Sequence, residues 1–124
     1  MDADKNPYAD LLGIKVVELE KGMARVSAVV KPEHTNHLGY SHGGFLYSVA
    51  DYAFELASNS HGVDAVGLTT SMEFHRSSKV GDTIEAMARE THLGKTVATY
   101  HIEVSSNNKR IASFTGTVYR KSGG

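Results

Sequence analysis

Apolar and polar residues alternate with a period of two along most of this chain. Ala24, Val26, Ala28 and Val30 alternate with Met23, Arg25, Ser27 and Val29, and Ala98, Tyr100, Ile102 and Val104 with Val97, Thr99, His101 and Glu103. Such spacing predicts strands with one buried face. "IKVVELEKGMARVSAVVKP" reads as two strands joined at Lys21-Gly22. Further strands are predicted over "VDAVGLTTSMEFHR", "DTIEAMARETH", "TVATYHIEVSS" and "RIASFTGTVYR". Gly81-Asp82, Leu93-Gly94-Lys95 and Asn107-Asn108-Lys109 supply the turns, and "KSGG" a frayed tail. Two segments break the alternation. Residues 7–13 form a short helix that Pro7 opens and Gly13 closes. A long helix runs from about Gly44 to Asn59 and ends near Gly62, after a polar loop over residues 32–43. One helix must then cover the sheet. The expected fold is α+β: one curved antiparallel sheet of five to six strands wrapped around a long central helix, a single domain over residues 1–124.

The long helix is apolar almost all round, through Phe45, Leu46, Val49, Ala50, Ala53, Phe54, Leu56 and Ala57. Ser48, Asp51, Glu55 and Ser58 fall at i, i+3, i+7 and i+10, a single narrow polar stripe. A surface helix would carry a wider polar face, and no Lys or Arg stands four residues on to pair either acid. Two carboxylates one turn apart in a partly dry cleft cannot both ionise cheaply. Glu55 is expected to point toward a ligand pocket and hold its proton longer, leaving Asp51 charged.

"SHGG" leads into this helix. Backbone N–H groups of a first helical turn lack intrahelical acceptors and lie at the positive end of the helix dipole. Glycine lets another molecule approach that backbone, so the entrance is a candidate oxyanion hole. Eight residues separate Gly43 from Asp51, about 12 Å at helical rise. One carbonyl group cannot touch both within a subunit. If they act together, a twofold-related pair of helices must set Gly43 of one chain near Asp51 of the other.

Composition narrows the setting. Cysteine is absent, which excludes disulfides and thiolate chemistry. Thirteen basic and 14 acidic residues, with no basic stripe, argue against a nucleic-acid partner. No run of 18 apolar residues exists, so no membrane span is expected. "MDADKNPYADLLG" lacks the apolar core of a signal peptide, and a cytoplasmic location is expected. His34, His37 and His42 cluster in the loop without the partners of a metal motif, so no metal is expected, and His42 reads as a loop-fixing residue.

"HGGFLYSVADYAFELASNSHG" resembles the signature of the hotdog-fold acyl-CoA thioesterases, in the PaaI-like branch associated with phenylacetate degradation. "MEFHRSSKVGD", "ATYHIEV" and "ASFTGTVYR" resemble further strands of that family, so the likeness runs from about Leu11 to Arg120. Ser77 stands where the family often has Pro, and Glu55 where it has a small residue or Thr.

The resemblance implies hydrolysis of a coenzyme A thioester without cofactor or metal. The N–H of Gly43, with Gly44, would bind the thioester oxygen, and Asp51 of the opposite subunit would serve as nucleophile or general base. Asn36, at the family's Asn or Gln position, would orient water or the departing thiolate. Arg76, Lys95 and Arg89 are candidates for the coenzyme A phosphates, and Tyr47 and Phe54 for the acyl pocket. Aryl- or hydroxyarylacetyl and medium-chain acyl groups fit the family, as does a tetramer of two dimers. The rival readings are a hotdog dehydratase or hydratase, using His42 with Asp51, and a non-catalytic acyl-CoA-binding module.

Overall fold

The computed structural model describes residues 5–121. It contains helix α1 (Pro7–Leu12), strands β1 (Lys15–Glu20) and β2 (Met23–Val29), helix α2 (Gly43–Ser58), and strands β3 (Ala65–Phe74), β4 (Thr83–Leu93), β5 (Val97–Ser106) and β6 (Lys109–Arg120). A one-turn 3-10 helix, Pro32–His34, lies in the loop before α2. Six strands form one antiparallel sheet in the order β1-β2-β4-β5-β6-β3. The expected α+β hotdog architecture is therefore present, with six strands. Of the tail, residues 122–124 lie outside the described residues.

The period-two pattern sets the two faces of this sheet. Ala24, Val26, Ile84, Ala86, Ala88, Ala98, Tyr100, Ile102 and Val104 are fully buried against α2, and their alternates line the convex outer face. Local signals end the elements as anticipated. Gly13 caps α1 in the left-handed region (φ 74°), and Asn107 and Asn108 take φ of 54° and 62° in the tight β5–β6 turn. Small residues let the helix approach. A Cβ on Gly116 would lie 2.6 Å from the Phe54 ring, which also packs on Tyr100 and Phe114.

At its C-terminal end α2 is tied down by polar contacts. Glu90 accepts hydrogen bonds at 2.7 Å from the Tyr100 hydroxyl and from the His61 ring. Burial pushes the Glu90 carboxyl up, but those two bonds and the charges of His61 and Arg120 hold it below the ordinary value.

β1 and β3 are the edges of the sheet. β3 pairs with β6 on one side only, and Val66, Leu68 and Phe74 are about half exposed along it. No helix of the described residues is long and apolar enough to cross a membrane.

Candidate active site

The loop before α2 is built on His34 and Asn36. His34 is 5% exposed, stacks on Phe45 with ring centroids 4.0 Å apart, and accepts the Lys31 N–H on Nδ1 at 3.0 Å. Its backbone carbonyl accepts the His42 N–H, which sets the entrance to the helix. Desolvation is the leading cause that holds His34 below its ordinary pKa. A depressed folded pKa means that the unfolded chain takes the proton first, so stability is full above about pH 6.5 and is lost as pH falls through the folded value. Melting temperature is expected to drop as pH is lowered from 7 to 5, and His34→Gln should flatten that part of the curve. An unchanged slope in the variant would show that another group titrates.

Asn36 folds the rest of the loop around its side chain. Its Oδ1 accepts the N–H groups of Leu38 (2.9 Å) and Tyr40 (3.1 Å), while Nδ2 has no partner among the described residues. His42 is the N-cap of α2, and its Nδ1 accepts the Gly44 N–H at 2.8 Å. The amide of Gly44, expected as a second oxyanion donor, is thus already occupied. The Gly43 N–H has no acceptor among the described residues. Gly43 and Asn36 border one cleft of about 330 Å³, together with Ser41, Phe74, His75 and Arg76. A Cβ on Gly43 would rest 3.4 Å from the Phe74 ring.

Asp51 is elsewhere. It borders a second and larger cavity of about 690 Å³ between α2 and β3, with Tyr47, Phe54, Glu55 and the run Ala65–Thr70. Eight residues of one helix therefore separate the free amide from the acid, the about 12 Å that helical rise requires. The Tyr47 hydroxyl and Thr70 Oγ1 are hydrogen-bonded at 2.8 Å across this cavity, a contact that the sequence did not signal. Phe54 is 3% exposed and reaches the cavity from the core.

The polar stripe of α2 is covered by α1, which the pattern did not reveal. Tyr8 bonds Ser48 at 2.9 Å, and Asn6 Nδ2 donates to both oxygens of Glu55 at 3.2 and 3.1 Å. Asn6 also caps α1 through its own Oδ1, so its side chain is held at both ends. Among the described residues, neither Asp51 nor Glu55 has a cationic partner. Burial first, and the neighbouring charge of Glu55 second, raise the pKa of Asp51. Sequence reasoning placed the upward shift on Glu55. The structure raises Asp51, through its burial and the neighbouring Glu55 charge, and Asn6 engages both Glu55 oxygens.

The basic candidates are dispersed. Arg76 follows β3 beside the Gly43 cleft, held by its backbone N–H to the Ile111 carbonyl at 3.2 Å. Lys95 is exposed in the β4–β5 turn. β5 runs between that turn and the end of the sheet near Arg76, ten residues or about 30 Å. Arg89 is exposed on the convex face, opposite Met23 and His101. One ligand molecule cannot meet both Arg76 and Lys95 within one chain.

A free amide at a helix start can polarise a carbonyl oxygen, and a carboxylate of raised basicity in a partly apolar cavity can take a proton from water. Residues 38–113 match the thioesterase superfamily. The chain is 38% identical over 121 residues to the acyl-coenzyme A thioesterase PaaI of Escherichia coli, covering 97% of this chain and 86% of that protein. Its fold matches a mutant of the phenylacetic acid degradation protein PaaI from Thermus thermophilus with a TM-score of 0.91, at 45% identity over 93% of this chain and 99% of that one. It also matches the smu.793 protein of Streptococcus mutans bound to acetyl CoA, with a TM-score of 0.85, at 31% identity over 88% and 89% of the two chains. The fold agrees with these likenesses: the chain belongs to the thioesterase superfamily, as a thioester hydrolase of its PaaI-like, hotdog-fold branch.

Proposed function

We propose that the protein hydrolyses acyl-CoA thioesters at a site shared by two subunits. The N–H of Gly43 from one subunit binds the thioester oxygen, and Asn36 Nδ2 is a second donor in the same cleft. Asp51 of the other subunit acts as general base on the attacking water. The observation that carries this reading is the separation of the one free first-turn amide and the one basic carboxylate into two clefts of the same helix. A raised pKa makes Asp51 a better base for that role. No metal or cofactor takes part. The exposed edge of β3, bordered by Val66, Leu68 and Phe74, supports a twofold partner there, since an unpaired apolar edge is otherwise a liability. Two such dimers would make the tetramer.

The acyl group occupies the Asp51 cavity, whose volume suits a ring or a medium chain. Tyr47, Phe54 and β3 line its apolar side, and Glu55 with the Tyr47–Thr70 pair adds a polar side. That mixture favours aryl- and hydroxyarylacetyl groups over plain alkyl chains. The likeness to a phenylacetic acid degradation protein supports a place in aromatic acid breakdown in the cytoplasm. The test is release of free thiol from a panel of acyl-CoAs. Hydroxyarylacetyl-CoA should be turned over with the highest kcat/KM. A change in the acyl double bond without thiol release would instead mark a dehydratase, and tight binding without turnover a binding module.

Glu55→Gln probes the coupling of the two acids. Turnover needs ionised Asp51, so kcat/KM falls as pH drops through the raised Asp51 value. Removing the Glu55 charge removes one cause of that rise. The acid limb of the variant should move to lower pH. A limb that stays in place would separate Glu55 from the catalytic acid.

A further inference from the structure

Asp51 borders two spaces. One is the large cavity on its β3 side. The other is a gap of only about 20 Å³ between the α1 segment and α2, with Asn6, Tyr8 and Ile14 on one wall and Ser48 and Glu55 on the other. The segment that carries α1 therefore backs the candidate base. We infer that Asn6 is a positioning residue for the hydrolysis: by binding both oxygens of Glu55 it holds that carboxylate in place one helical turn from Asp51. The inference rests on the reading of Asp51 as general base given above.

Asn6 is itself fixed by α1. Its Oδ1 accepts the Ala9 N–H at 3.0 Å and its backbone carbonyl the Asp10 N–H at 3.0 Å, which leaves Nδ2 aimed at the Glu55 carboxylate. That last contact is not needed to dock the helix. Ala9 and Ile14 belong to the hydrophobic core, and Tyr8 adds a bond to Ser48. What it adds is the orientation of Glu55. An unrestrained glutamate side chain samples several rotamers and carries its charge out toward water. Engaged at both oxygens, this one stays against the stripe. The other titratable or charged groups around the two acids are Tyr47 and Tyr52 of α2, Tyr8 of α1, and Asp64 and Lys121 on the border of the large cavity. Tyr47 and Tyr8 are bonded to Thr70 and Ser48, and the β3 wall from Ala65 to Thr70 brings no titratable side chain. Burial first, and then the charge of Glu55, raises the pKa of Asp51. A Glu55 charge that is held there keeps Asp51 basic, as a general base requires, whereas one free to swing into solvent would lose that influence.

Asn6→Ser separates positioning from capping, because serine is as good an N-cap and its one hydroxyl is taken up by the cap. The titration midpoint of the Asp51 carboxyl, read by carbon-13 NMR on protein labelled at aspartate, should fall by about half a pH unit, the effect of moving one charge away into solvent. The acid limb of kcat/KM should move to lower pH with it, while KM and the circular dichroism spectrum stay unchanged. In a Glu55→Gln background, Asn6→Ser should shift neither midpoint nor limb any further. A midpoint and limb that stay in place in Asn6→Ser would overturn the assignment. So would a shift of the same size when residue 55 is already glutamine, since α1 would then act on Asp51 through burial and not through Glu55. Failure of the thioesterase reading is a separate result: the carboxyl midpoint moves as predicted, but no acyl-CoA releases thiol.

Discussion

Asp51→Asn is expected to lower kcat by about 10²–10⁴-fold, the usual contribution of a general base, and at the same time to raise the melting temperature at pH 7. Both effects follow from the place of one carboxylate. Asp51 lies partly buried on α2 with no cationic partner among the described residues, and burial and Glu55 raise its pKa. A folded pKa above the unfolded one means that the folded protein holds this proton more tightly. Stability is therefore lost as pH rises through the raised value, and at neutral pH the full cost is present. Asparagine keeps the shape and never ionises. The stability gain of the variant should fade as pH falls through the raised value and be gone below about 4, where the unfolded carboxyl is protonated too. Steady-state kinetics and thermal melts across pH check both halves. Turnover within tenfold of the unmodified enzyme would exclude Asp51 as the base, and an unchanged melting temperature would contradict its electrostatic cost.

Gly43→Val should reduce kcat/KM by about 10²–10³-fold, the loss typical of removing one oxyanion donor. The backbone N–H remains in the variant, but a branched side chain would stand between it and the approaching carbonyl oxygen. The fold should tolerate the change, because a Cβ here meets the Phe74 ring at 3.4 Å, an ordinary contact. Circular dichroism should be unaltered while activity is lost. Undiminished kcat/KM would mean that the thioester oxygen is bound elsewhere. Gly44 gives a useful contrast, since its amide is already bonded to His42.

The sheet was legible in the sequence because its signals are local. Alternation marks the buried face of β2 and β5, and Gly13 and Asn107-Asn108 sit where left-handed backbone is needed. The long helix was displaced by one residue at each end, since His42 rather than Gly43 caps it. The acids were visible as a narrow stripe, and their distance from Gly43 followed from helical rise alone. What covers the stripe was not visible: Asn6 and Tyr8 meet Glu55 and Ser48 from 49 and 40 residues away, a contact that no period encodes. The burial that raises the pKa of Asp51 was not visible either. The occupation of the Gly44 amide by a histidine two residues earlier was local, but histidine is not among the usual capping residues. The separation of Arg76 from Lys95 was in principle readable, because an antiparallel strand of ten residues puts its two turns at opposite ends of the sheet.

The two-subunit site is tested most directly by complementation. Asp51→Asn and Gly43→Val chains, each inactive alone, are mixed by co-expression or by refolding together. Random pairing makes half of the dimers hybrid, and each hybrid has one site with an intact Gly43 from one chain and an intact Asp51 from the other. The mixture should then regain about a quarter of the unmodified activity, with the remaining sites silent. If Gly43 and Asp51 of the same chain serve one site, every site in the mixture is defective. Activity that stays at the level of the single variants would contradict the shared site.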